Sequence, residues 1–196
     1  MTDLINNYIL ERGNKESNPN VIIISISDQN QMSNIATKIV DTCLFNRRKN
    51  PNFDFDILFV FDEAHEFIST SPQEQTDNVK NSRRSLLRLA RQGRKYGLGM
   101  CIATQRTRYL DTTIMGQMHT LFAGFLPRKT DREPLIDAFN IEEDVIRESK
   151  NFGPGQWLIC SATATGIFQS VPISFKAKNS EDILKAFFTY KGWINT

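Results

Sequence analysis

The sequence predicts an α/β fold with a mostly parallel sheet. Three observations carry that expectation. Short β-branched or aromatic apolar runs recur at residues 21–27, 57–61, 98–105 and 120–126. Between them lie segments whose apolar residues fall at helical spacing. The early runs are apolar throughout rather than alternating, as in strands covered on both faces.

Taken in order, residues 1–20 are polar with a short helix-compatible patch, and residues 13–20, GNKESNPN, read as a loop. VIIISIS at 21–27 is a β-branched run bounded by turn residues, the signal of a buried strand. Residues 32–45 place Ile35, Ile39, Val40 and Leu44 on one helical face before RRKNPN interrupts them. ILFVF at 57–61 is a second buried strand, and the polar stretch 69–81 reads as a mobile loop. Residues 82–97 form a helix with Gly97 as its stop. LGMCIATQ at 98–105 is a third strand, 112–118 a short helix, 120–126 a fourth strand, and 131–140 and 142–150 two further helices. GPG at 153–155 turns into a strand at 156–163, with 166–175 returning as its hairpin partner. Residues 180–193 open like a capped helix whose Phe187, Phe188 and Trp193 are expected to dock.

Composition bounds the function. Apolar residues at 40% and charged residues at 23% describe a globular chain, and 196 residues make one domain or most of one. A net charge of +2 gives no global pull toward nucleic acid, so any basic surface has to be local. Cys43, Cys101 and Cys160 lie in or beside apolar segments without metal-ligand spacing, which fits reduced thiols in a cytoplasmic protein. No signal-peptide layout or membrane-length apolar run is present, and no membrane partner is expected.

Chemistry concentrates at the predicted strand ends, where ligands bind in open parallel sheets. Asp62 and Glu63 end the second strand, Gln105 the third, and Ser27-Asp28 the first. Adjacent carboxylates repel and resist desolvation unless a cation meets them. An apolar strand closed by Asp-Glu is the Walker B pattern, in which the Asp orders Mg²⁺ and the Glu polarises an attacking water. A strand-ending acidic turn or helix cap is the bland alternative. Gln105 could contact a γ-phosphate or that water, or simply turn the chain. His65 is expected to hydrogen-bond beneath the Asp62-Glu63 turn. Arg84, Arg88, Arg91 and Lys95 fall at i, i+4, i+7 and i+11 on one helix face, opposite Leu86, Leu89, Ala90 and Gly93. Such a stripe is a solvated face or a contact for nucleotide, a neighbouring subunit or DNA phosphate.

LFVFDEAHEF, RLARQGRKYGLGMCIATQR, TTIMGQMHTLFAGFL, DREPLI and FGPGQWLI, in that order, resemble the HerA/FtsK family of DNA-pumping ATPases, the HerA branch above all. The resemblance runs from about residue 21 to 175. It implies a RecA-like P-loop NTPase core over 21–175, flanked by a polar segment at 1–20 and a helical tail at 176–196. It also implies ATP and Mg²⁺ as cofactors, double-stranded DNA as partner, a hexameric ring, and a nuclease or other effector as companion. Asp62, Glu63 and Gln105 take the family's Walker B and strand-end positions. Arg94, Arg128 and Arg132 are candidates for the arginine that acts across the subunit interface, and Arg106 and Arg108 for DNA or subunit contact. Two departures stand out. Thr107 replaces the usual Pro after Gln-Arg, and no Gly-Lys dipeptide occurs, so the Walker A loop is missing. The expectation is therefore a core incomplete on its N-terminal, P-loop side, inactive by itself. The non-enzymatic readings are an assembly or regulatory module, or a duplex-DNA-binding scaffold, built on the same fold. DEAH followed by SAT also occurs in superfamily-two helicases, but here SAT at 161–163 comes far too late in the chain.

Overall fold

The computed structural model describes residues 21–161 and 172–192. It divides between Met118 and His119 into two compact units.

In the first unit, helix α1 (Gln29–Lys49) starts where Asp28 caps it, accepting the Gln31 N–H at 2.7 Å. Its Ile39, Val40, Cys43 and Leu44 are buried. Strand β1 (Ile57–Phe61) pairs in parallel with β2 (Leu98–Ile102), with Ile57 opposite Leu98 and Phe61 opposite Ile102. The short α2 (His65–Ile68) follows β1 directly. Helix α3 (Asp77–Gln92) is capped by Thr76 and packs on α1, burying Val79, Leu86 and Leu89. It tightens into a 3₁₀ turn at Gly93–Tyr96, and Gly97 at φ 64° ends it in the left-handed region. The Gly97 carbonyl accepts the Ile57 N–H at 2.8 Å, so the helix stop also sets the start of the β1–β2 ladder. The short α4 (Thr112–Met115) closes the unit.

In the second unit β3 (Thr120–Ala123), β4 (Gln156–Ser161) and β5 (Ile173–Lys176) form an antiparallel sheet in the order β3-β4-β5. Between β3 and β4 lie α5 (Lys129–Phe139), α6 (Glu143–Arg147) and a 3₁₀ turn at Glu148–Asn151. Helix α7 (Ser180–Tyr190) is capped by Asn179, as its opening sequence predicts.

Most predicted elements form, with shorter strands and shifted helix ends. Four expectations change. Residues 21–26 are not a strand: among the described residues they pair with no other segment, and Val21 and Ile23 are 73% and 86% exposed. A β-branched run becomes a buried strand only where a ladder pairs it and other elements cover it, and among the described residues β1 is paired with β2 alone. Asp28, expected at a strand end, is a helix cap instead. The polar stretch after β1 is tied down rather than loose. Ser69 Oγ donates to Glu74 at 2.6 Å, the Thr70 N–H reaches the Tyr109 carbonyl at 2.7 Å, and the last residues of the stretch join α3. Finally, no residue of α7 is buried, so Phe187 and Phe188 do not sink into a core. Residues 1–20, the SAT stretch beyond Ser161, the outer part of the predicted hairpin and Trp193 lie outside the described residues.

Candidate functional site

The carboxyl ends of β1 and β2 form the site. The ladder continues past both strands: the Ala103 N–H donates to the Phe61 carbonyl at 2.9 Å, and the Ala64 N–H to the Ala103 carbonyl at 2.8 Å. Asp62 and Glu63 are thereby held between two backbone bonds on one side and the start of α2 on the other. Ser33 of α1 reinforces this turn by donating to the Glu66 carbonyl at 3.4 Å.

Glu63 pays for its place in the chain with a φ of 48°, in the left-handed region that a residue with a side chain rarely adopts. Its N–H donates to Asp62 Oδ1 at 3.0 Å. Its own Oε2 lies 3.3 Å from His65 Nδ1, within ion-pair distance but off hydrogen-bond alignment. That oxygen is shielded from water although the side chain as a whole is 43% exposed, so one end of the carboxylate is an orphaned acceptor among the described residues. His65 Nδ1 also lies 3.2 Å from Thr104 Oγ1, the expected hydrogen bond beneath the turn. Thr104 in turn fixes the bend that carries Gln105, because its hydroxyl accepts the Arg106 N–H at 3.0 Å. Gln105 itself stands beyond the end of β2, which closes at Ile102, and is exposed.

This donor set fits Mg²⁺. The ion keeps several waters and takes one or two carboxylates with substrate oxygens rather than a full protein cage. Asp62 is exposed with Glu63 beside it, so these are the carboxylates that could hold such an ion. Among the described residues no cluster of three His, Cys, Asp or Glu side chains forms, so a cage-type metal centre is not offered.

The predicted basic residues are dispersed. Arg84 and Arg91 are exposed on α3, but Arg88 is bound to Asp41 of α1 at 2.8 and 2.9 Å. Lys95 leaves the helical stripe because the α-helix has already become 3₁₀ at Gly93. Arg94, Arg106 and Arg108 are exposed, the last stacked 5.1 Å from the Tyr109 ring. In the second unit Arg128 is exposed. Arg132 is buried, and its Nη1 donates to the carbonyls of Leu126 and Pro127 at 2.7 and 2.9 Å. Sequence reasoning missed Thr104 and Arg83. The first is signalled only by lying next to Gln105. The second stands one residue off the basic stripe and pairs with Asp111.

No family model matches the chain. In sequence it is similar to the DNA double-strand break repair helicase HerA of Saccharolobus solfataricus, 28% identical over 163 residues that cover 80% of this chain and 31% of that protein. It is likewise 28% identical over 146 residues to the probable helicase MJ1565 of Methanocaldococcus jannaschii, covering 71% of this chain and 27% of that one. The chain thus spans less than a third of the length of these relatives. In structure it is similar to the genome packaging NTPase B204 from Sulfolobus turreted icosahedral virus 2, solved with AMPPCP. The TM-score is 0.56 over 83% of this chain and 69% of that one, at 14% identity, a likeness of fold alone. The chain is thus similar in sequence to HerA helicases and in fold to a viral genome packaging NTPase.

Proposed function

We propose that this chain is the hydrolytic part of a HerA/FtsK-type ATPase that, assembled as a ring, moves along double-stranded DNA. One observation carries the reading: an adjacent Asp-Glu pair at the carboxyl end of β1 is stitched by backbone bonds to the end of β2, where Thr104 sets the Gln105 bend. The HerA helicases and the packaging NTPase among its relatives support nucleotide and DNA as the ligands.

In this reading Asp62 holds hydrated Mg²⁺, which when bound neutralises charge on the phosphates. Glu63 orients the attacking water and accepts its proton. Gln105 reaches the γ-phosphate with its amide. Arg94 or Arg128, both exposed, stabilises the transition state from a neighbouring subunit. Arg132 is the weaker candidate, because its guanidinium already serves two carbonyls in its own unit. Arg84, Arg91, Lys95, Arg106 and Arg108 are the exposed cations for DNA phosphate. With no Gly-Lys pair in these 196 residues, the loop that cradles the phosphates is supplied by other residues or another chain.

A second reading has its own observation. One face of the β1–β2 pair is open: Leu58 and Val60 are 64% and 62% exposed, and Cys101, in register with Val60, is exposed too. That face suits a module whose job is assembly. Mg²⁺-dependent ATP hydrolysis with and without duplex DNA separates the two, beside Glu63→Gln. Where a phosphate-cradling loop is supplied, the enzymatic reading expects hydrolysis that Glu63→Gln lowers by about 10²-fold or more. Absence of both hydrolysis and ATP binding, with self-association in solution, favours the assembly module.

A further inference from the structure

His65 begins α2 two residues after Glu63, and its side chain is only 12% exposed. One ring nitrogen, Nδ1, faces two oxygens: Glu63 Oε2 at 3.3 Å and Thr104 Oγ1 at 3.2 Å. With the ring proton assigned to Nδ1, the imidazole donates to Thr104 Oγ1 and only lies close to Glu63 Oε2. The Thr104 hydroxyl is then fully used. It donates to the Arg106 carbonyl at 3.3 Å and accepts from the Arg106 N–H at 3.0 Å and from the imidazole. The result is a continuous path from the Glu63 carboxylate, through the imidazole, to the bend that carries Gln105 and Arg106.

Two features of Glu63 give the path a purpose. Its backbone sits at φ 48°, a conformation that persists only where the surroundings over-determine it. Its Oε2 is shielded from water and has no hydrogen-bond partner among the described residues although His65 Nδ1 lies 3.3 Å away, so the contact is weak enough to be released. The geometry points to His65 as a positioning residue that holds the Glu63 carboxylate in a waiting orientation and makes its release depend on the Thr104–Arg106 bend. Whatever Gln105 or Arg106 touches then reaches Glu63 through the imidazole. This inference rests on the ATPase reading for its consequence, but not for its geometry.

The full chain tests it in two ways. The first follows the Glu63 side-chain carboxyl ¹³C resonance, assigned by its loss in Glu63→Gln. His65→Ala and Thr104→Val are each expected to shift it. Thr104→Val is expected to add nothing in the His65→Ala background. His65→Asn, whose amide occupies the Nδ1 position, is expected to keep both the wild-type resonance and its response to Thr104→Val. An unmoved resonance in His65→Ala, or an equal Thr104→Val shift with and without His65, overturns the proposal. The second readout is Mg²⁺-ATP hydrolysis. His65→Ala is expected to lower kcat about tenfold at unchanged KM, with most of the loss recovered in His65→Asn. Hydrolysis that is equal in His65→Ala and wild type overturns the positioning role while the ATPase reading stands. No hydrolysis in wild type means that the phosphate-cradling loop comes from another chain, and the resonance then decides the coupling.

Discussion

Arg83 Nε lies 2.7 Å from Asp111 Oδ2, and the other carboxylate oxygen of Asp111 caps α4 by accepting the N–H groups of Thr113 and Ile114 at 2.8 and 3.2 Å. One nearly buried carboxylate, its side chain 8% exposed, thus ties α3 to the start of α4. Asp111→Ala strands both a guanidinium and two helix N–H groups, and is expected to cost about 2–3 kcal/mol. Asp111→Asn keeps the cap and loses the charge pair, at about 1 kcal/mol. Urea unfolding checks the order; equal losses would mean that the ion pair and not the cap is what matters.

Glu63 offers a test of backbone strain apart from chemistry. At φ 48° a side chain costs about 1–2 kcal/mol that glycine does not. Glu63→Gly and Glu63→Ala both remove the carboxylate, so their difference isolates the backbone. The glycine variant is expected to be more stable by about 1 kcal/mol in urea. An alanine variant of equal or higher stability would show that the left-handed turn relaxes.

Gly97→Ala should be severe. The position has φ 64°, and an added Cβ meets Asp56 Oδ1 and the Phe53 ring. The Gly97 carbonyl also sets the start of the β1–β2 ladder. A loss of about 2 kcal/mol or more is expected from the combined strain and crowding. A lowered urea midpoint measures it, and a change within the error of the midpoint would contradict the described turn.

The thiols should separate sharply. Cys43 is fully buried, and burial pushes its pKa up from 9.0 to about 12, with the Arg47 guanidinium pulling the other way. The folded state thus favours the neutral thiol. Its stabilising effect is fully present below about pH 9 and is lost as pH rises toward 12, because only the unfolded chain ionises in that window. Between pH 8 and 10.5 wild type is expected to lose about 2 kcal/mol more than Cys43→Ala. Cys101 is exposed, and Cys43 and Cys160 are buried, so a disulfide reagent at pH 8 should titrate Cys101 first in native protein and all three only on unfolding.

What the sequence determined by itself was local. The run 57–61 became β1 with the predicted bounds and delivered Asp62 and Glu63 to a strand end. Leu86 and Leu89 marked the buried face of α3, and Gly97 marked its stop. These follow from periodicity, capping and turn residues, which act over a few positions. Tertiary structure decided whatever depends on the element opposite. The run 21–26 has the composition of a strand but joins no ladder among the described residues. Arg88 and Arg132 have the composition of free cations but are bound to Asp41 and to two carbonyls. The site shows the same division: the Asp-Glu pair is written in adjacent letters, whereas the bridge through His65 to Thr104 joins residues that only the parallel β1–β2 register brings side by side. Pairing across the chain depends on which surfaces remain to be buried, and no local pattern encodes that choice.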